Sequence, residues 1–221
     1  MKKIAVSFSG GKDSTLALYR LIQTKQWDIH CLITTITETY QRVSIHGFCE
    51  ELLHSQSDSL GIPLKKVYIP INCTNEHYKF KMNKALKELV NEGVTHVMFG
   101  DIFLEDIKIY REELIRPHGL HAVFPLWGEN TVQLLEEFIA LSFEAVITCV
   151  DTEVLSEKYA GKTINTAFAK FLPKGVDPCG ENGEFHSFVF NGPIFRKPIN
   201  ISLGETKLSS NRFLFRDIIL I

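Results

Sequence analysis

Residues 7–14 read Ser-Phe-Ser-Gly-Gly-Lys-Asp-Ser, SFSGGKDS. They follow the apolar run KKIAV (2–6) and precede TLALYRLI (15–22), whose apolar spacing is helical. A glycine-rich turn leading from a first strand into a helix makes an anion site. Glycines let the backbone come close to a ligand, N–H groups point into the turn, and the positive end of the helix dipole faces the charge. Lys12 adds a full charge, and the hydroxyls of Ser7, Ser9 and Ser14 add donors. Two established nucleotide patterns do not fit. The Walker loop requires a glycine where Val6 stands and a Ser or Thr where Asp13 stands, and no G-x-G-x-x-G is present. A tight turn capped by Asp or Ser is the plain alternative for two glycines alone, but all six residues of SGGKDS at the end of a strand point to phosphate.

The whole chain bounds what that site can serve. Its 221 residues suffice for one large domain, or a core domain with a smaller one. With 45% hydrophobic and 23% charged residues it can bury a sizeable core. A formal net charge of −2 argues against stable nucleic-acid binding through a broad basic surface. No stretch reaches the roughly 18 apolar residues of a membrane span. MKKIAV resembles the start of a signal peptide, but Ser7, Ser9, Lys12 and Asp13 interrupt it, so the chain is read as cytoplasmic with no membrane partner. The five cysteines are odd in number and widely spaced, without C-x-x-C, which indicates neither a disulfide framework nor a zinc site.

The first half alternates strand and helix. KKIAVSF, DIHCLITTIT, LKKVYIPI, THVMFGD and HAVFPLW are short runs rich in Val, Ile and aromatics, as buried parallel strands are. Between them, Leu16, Tyr19, Leu21 and Ile22 fall on one helical face. So do Tyr78, Met82, Leu86, Leu89 and Val90, in a helix that stops at Gly93. The expected fold class is α/β: a doubly wound five-stranded parallel sheet within residues 1–127. Residues 128–221 are expected to form a smaller α+β domain. It has a helix in NTVQLLEEFIALSF capped at Asn130 or Thr131, then strands in EAVITCVD, FHSFVF, PINISLGE and NRFLFRDIILI.

SGGKDS resembles the PP-loop of the N-type ATP pyrophosphatases, whose fold is of the adenine nucleotide alpha hydrolase-like, HUP type. The resemblance implies that Ser9, Gly10, Gly11, Lys12, Asp13 and Ser14 hold the departing pyrophosphate of ATP, with Mg2+ bridging phosphates. It also implies that adenine lies against the second strand at Ile33, Thr34 and Thr35. RVSIHG (42–47), GDI (100–102) with YREE (110–113), PLW (125–127) and above all DPCGENGEFHSFVFNGPIF (177–195) resemble, in the same order, the diphthine–ammonia ligase family. Asn182 and His186-Ser187 stand where that family's usual pattern has Gly and Glu-Thr, which is similar to a bacterial branch. The likeness implies an ATP-dependent ligase that adenylates a carboxylate, releases pyrophosphate and forms an amide with ammonia. The carboxylate is diphthine on an elongation factor or an unidentified small molecule, and a homodimer is allowed for.

Gly100 and Asp101 follow the fourth strand, where open α/β sheets place ligand contacts. Asp101 also reads as a helix N-cap for IFLEDIKIY. Arg111 is expected to meet phosphate or the substrate carboxylate, against the plainer reading of a solvated charged face shared with Glu112. His46 is a substrate-site candidate by its match to the family's HG block, against a structural histidine. Glu181, Glu184 and His186 lie within six residues of a glycine-rich loop. Strand alternation places Glu184 and His186 on one face, oriented to hold a substrate amine or take a proton from ammonia. Loop structure and metal binding are the alternatives, and no metal ligand set is indicated. Lys12, Asp13, Glu184 and His186 are the catalytic candidates. Cys179 is expected to be inert. Two competing functions remain: a PP-loop tRNA-modifying enzyme, and a non-catalytic ATP-binding module.

Overall fold

The computed structural model describes residues 1–44 and 46–221; Ile45, inside the RVSIHG block, lies outside the described residues. In chain order the elements are β1 (Lys2–Ser7), α1 (Lys12–Thr24), β2 (Trp27–Thr37), β3 (Arg42–Val43), α2 (Glu50–Leu60) and β4 (Leu64–Ile69). Next come α3 (Asn75–Asn91), β5 (His96–Met98), α4 (Glu105–Ile115), β6 (His121–Val123) and α5 (Thr131–Ala140). The remaining elements are β7 (Glu144–Asp151), α6 (Thr166–Phe171), β8 (Phe185–Asn191), β9 (Ile201–Ser209) and β10 (Phe213–Leu220).

The five expected strands pair in parallel in the order β4-β2-β1-β5-β6. The two-residue β3 is an addition that pairs antiparallel with β2, Ile36 opposite Val43. From β1 the chain builds outward through β2 to β4, then returns to β5 on the other side of β1. The topological switch point therefore lies between β1 and β5, where an open sheet leaves a crevice at its carboxyl ends.

Strand alternation divides the core. Ile4, Val6, Leu32 and Ile36 pack with α1, α2 and α5, whereas Ala5, Cys31, Ile33 and Val97 pack with Met82, Ala85, Leu86 and Leu89 of α3. Val90, expected on the buried face of α3, is 37% exposed because the buried stripe of Met82, Ala85, Leu86 and Leu89 is centred on the other side of the helix face from it. Gly93 adopts φ +86° just past the helix, as its C-terminal role requires. Helix α4 begins only at Glu105, after Leu104, so Asp101 is not its N-cap.

The second sheet runs β8-β7-β10-β9 with every pair antiparallel. Asn130 caps α5, its side chain accepting from the N–H groups of Val132 and Gln133. Val146, Ile147, Phe185 and Phe188 of the second sheet share one apolar cluster with Val6, Phe8 and Leu18. That shared core presses β8 against the turn between β1 and α1, and it determines what the site looks like.

Candidate functional site

The turn after β1 is shaped by its glycines. Gly10 adopts φ +77°, and a Cβ there would lie 2.4 Å from Gln56 Oε1 and 2.6 Å from Phe48 Cζ. Gly11 sits just before α1 in extended conformation, where a Cβ would fall 2.6 Å from the His46 ring. Opposite, Gly100 packs on the first turn of α1, its notional Cβ 3.0 Å from the Ser14 N. The two segments flanking the switch point thus touch backbone to backbone. Gly10→Ala is expected to cost about 1–3 kcal/mol for the positive φ alone, with the clash added. Gly175→Ala serves as the control, since Gly175 has φ +91° with nothing within 4 Å. Denaturation midpoints should fall further for Gly10→Ala; equal losses would remove the close packing from the explanation.

Strand β8 braces this turn. The Val189 N–H donates to the Gly10 carbonyl, and Gln56 Nε2 donates to the carbonyls of both Gly10 (2.9 Å) and Val189 (2.7 Å). The Lys12 N–H donates to Ser187 Oγ at 3.1 Å. Ser9 and Ser14 hydroxyls are 3.1 Å apart, and the Ser14 and Thr15 hydroxyls donate to the Gly11 carbonyl. Gln56 and Ser187 were not among the sequence candidates. The sign of Gln56 in the sequence was its place four residues after Leu52 and four before Leu60, on the apolar stripe of α2.

Lys12 is 3% exposed. A buried ammonium must be paired: its Nζ donates to both Asp13 oxygens, at 2.6 and 2.7 Å, and to the Cys179 carbonyl. Burial opposes its charge, but Asp13, Cys179 and Glu181 outweigh that and raise its pKa. The 177–184 loop has therefore been drawn onto the glycine turn after β1. The Cys179 thiol itself is buried and pushed up to about 12 by desolvation, so it is a packed thiol with no thiolate character.

The two glutamates of the loop part company. Glu184 is 4% exposed and accepts from the Asp177 N–H (2.9 Å), the Asn182 N–H (3.0 Å) and Asn182 Nδ2 (3.0 Å). It lies one residue ahead of β8, so strand alternation does not reach it. The expected shared face of Glu184 and His186 is thus not formed: Glu184 closes its own loop, while His186 lines the cavity. Glu181 lines it as well, its Oε1 accepting from the Ile102 N–H at 2.7 Å. Burial raises Glu181 to about 7, with Asp13 and Asp101 adding to the effect and the Ile102 N–H and Lys12 opposing it.

His46 and His186 face each other with ring centroids 4.8 Å apart. His46 Nδ1 lies 3.0 Å from the Ser187 carbonyl and serves as its donor, since a carbonyl can only accept. Burial, then the neighbouring charge of Lys12, leaves His46 near 4; burial, His46 and Lys12 leave His186 near 3. Both rings are neutral at physiological pH. Asp101 faces Arg111 Nε at 3.6 Å, and the Arg111 guanidinium lies 5.4 Å from the Phe99 ring centroid, with Nη1 3.4 Å from the Tyr78 hydroxyl. Arg111 Nε is buried with no hydrogen-bond partner among the described residues.

These groups line a single cavity of about 560 Å³, together with Ile33, Thr34 and Thr35 from the end of β2. That volume is within the usual range for small-molecule sites. Ser7, Ser9, Lys12, Asp13, Ser14, Gly100, Asp101, His46, Arg111, Glu181 and His186 all border it; Glu184 does not. No group of three or more His, Cys, Asp or Glu side chains that could hold a metal occurs among the described residues. Nor is any helix among them long and apolar enough to cross a membrane.

Two family models match the chain: the diphthamide synthase N-terminal domain over residues 1–122, and the diphthamide synthase C-terminal domain over residues 130–217. Among curated proteins, diphthine–ammonia ligase from Rattus norvegicus is 30% identical, over 94% of this chain and 86% of its own. The Homo sapiens protein of the same name is 25% identical over the same shares. A solved structure from Methanocaldococcus jannaschii, titled a predicted subunit of tRNA methyltransferase, is 18% identical. It covers 62% of this chain and 74% of its own with a TM-score of 0.41.

Proposed function

This chain belongs to the diphthamide synthase family, and we propose that it is an ATP-dependent amidoligase. It would transfer AMP from ATP to a substrate carboxylate, release pyrophosphate, and let ammonia displace AMP to leave an amide. The observation that carries this reading is the buried Lys12 in a glycine turn at the β1/β5 switch point, closed over by the 177–187 segment within one cavity.

The chemistry asks for two things. An amine cannot displace oxide from a carboxylate at neutral pH, so the oxygen must first become a leaving group. Charge developing on the departing pyrophosphate must then be met by groups already in place. Lys12 and the start of α1 supply the second, and they are kept positioned by Ser187 and Val189 of β8 and by Gln56 of α2. The carboxylate of Asp13, 29% exposed, suits Mg2+, which commonly uses one or two carboxylates with phosphate oxygens and needs no larger protein cage. When bound, that ion would neutralise phosphate charge. Arg111, a cation bordering the cavity, is suited to an anionic group of the substrate. Ile33, Thr34 and Thr35 offer the strand edge for adenine.

Diphthine is the first substrate reading, by the names of the relatives, with an elongation factor as its expected carrier. A small-molecule carboxylate is the second, because the neutral His46–His186 pair puts an uncharged wall at the position where the family's usual pattern has an acid. The test is pyrophosphate release from ATP, with elongation factor carrying diphthine and with a panel of small carboxylates, each with and without ammonium. Release that needs both a carboxylate and ATP, with amide appearing only when ammonium is added, is the expected result. Tight ATP binding without release in any combination would favour a non-catalytic module and sink the ligase reading.

A further inference from the structure

We propose that Glu181, and not Glu184, is the base that takes a proton from ammonium at the moment the amide nitrogen attacks. This rests on the ligase reading above and adds the group that prepares the nucleophile.

Ammonium, like other alkylammonium-type cations, is protonated at neutral pH and has no lone pair to attack with. A site that uses it needs an acceptor beside the reacting carbon, exposed to the cavity and not committed elsewhere. The other carboxylates at this site are committed. Glu184 accepts three N–H donors inside its own loop. Asp13 holds Lys12 with both oxygens, and Asp101 faces Arg111. His46 and His186, near 4 and 3, are weak acceptors. Glu181 differs in geometry. Its main-chain N–H is tied to Asp177 Oδ2 at 3.0 Å and its Oε1 to the Ile102 N–H, so the side chain is held in place. Its Oε2 accepts no hydrogen bond among the described residues, and the residue borders the cavity next to Lys12 and Asp13. Two anchored points and one open oxygen describe a positioned acceptor.

The step balances as follows. One N–H bond of ammonium breaks and its proton goes to Glu181 Oε2. The freed electron pair forms the C–N bond to the carbonyl carbon of the adenylate, and the C–O bond to AMP breaks with its pair leaving on phosphate. The second nitrogen proton is lost to water. The charged and titratable groups around Glu181 are Lys12 and Asp13 from α1, Asp101 after β5, and Asp177 and Cys179 from its own loop. Burial first, and then the Asp13 and Asp101 carboxylates, hold the Glu181 carboxyl above the ordinary carboxylate range.

Hydroxylamine separates this role from every other, because it is mostly unprotonated at neutral pH and already has its lone pair. Glu181→Gln keeps an acceptor for the Ile102 N–H. With diphthine-bearing elongation factor, that variant is compared with wild type for hydroxamate formation from hydroxylamine and for amide formation from ammonium. Amide formation from ammonium should fall about 10²-fold more than hydroxamate formation does. Equal loss with both nucleophiles, or with neither, would overturn the proposal. If wild type itself releases no pyrophosphate, the ligase reading fails instead. The ¹³C carboxyl resonance of Glu181 then decides, since it should shift with ammonium chloride and not with tetramethylammonium chloride at equal ionic strength. No selective shift would overturn the assignment.

Discussion

Lys12→Ala is expected to lower carboxylate-dependent pyrophosphate release by about 10²–10³-fold, the usual loss when one preorganised group facing developing charge is removed. ATP affinity should change much less. Charge on the departing pyrophosphate exceeds that on the same oxygens in bound ATP, so an ammonium at this position stabilises the transition state more than the ground state. The resting contacts sharpen the expectation. Lys12 is fully enclosed, held by Asp13 and the Cys179 carbonyl, so its charge reaches an arriving phosphate without passing through bulk water. Lys12→Arg should not restore the rate, because a planar guanidinium cannot occupy a pocket shaped for a compact ammonium among Asp13, Cys179 and the Phe185 ring 5.6 Å away. Steady-state kcat and KM for ATP, measured together, decide the matter. A normal kcat in Lys12→Ala would show that the phosphate site lies elsewhere.

Glu184→Ala should cost stability, at roughly 3 kcal/mol, through the loss of hydrogen bonds from three N–H donors to a charged group. The Asp177 and Asn182 main-chain donors would be left in a loop that water enters only partly. Since that loop supplies the Cys179 carbonyl to Lys12, pyrophosphate release should fall as well. Glu184→Gln keeps one acceptor oxygen and should lose less of both. Urea unfolding at unchanged m-value reads the stability loss directly as a lower midpoint. The opposite pattern, a Gln variant with full stability and no amide formation, would return Glu184 to the chemistry and refute its structural role.

Much of the architecture was legible because it is written in local patterns. Short Val- and Ile-rich runs separated by helical stripes specify parallel strands with crossover helices, and Gly10-Gly11 after such a run specifies a turn that opens toward a ligand. Asn130 before an apolar helix and Gly93 after another marked ends that the structure keeps. The 177–195 block stood out as a site candidate because ionisable groups lie beside its glycines, and Glu181 and His186 of it border the cavity while Glu184 does not.

The choice between Glu181 and Glu184 was not legible. Period-two alternation holds only within a strand, and β8 starts at Phe185, so the direction of Glu184 was decided by whichever donors the loop brought near it. The same is true of Ser187 and Gln56, which brace a turn 175 and 46 residues away along the chain. No spacing rule links such positions. They meet because the apolar faces of two sheets share one core, which carries β8 onto the glycine turn after β1. Ionisation follows the same division. Residue type sets the ordinary pKa of Glu181, His46 and His186, while only the folded arrangement buries them and so moves the carboxyl up and the imidazoles down. The sequence by itself determined the strand-turn-helix cradle and the chemical kinds of group available to it. Only the tertiary structure decided which of those groups face the cavity and in which charge state, because desolvation and long-range hydrogen bonds do not exist until the two sheets have packed.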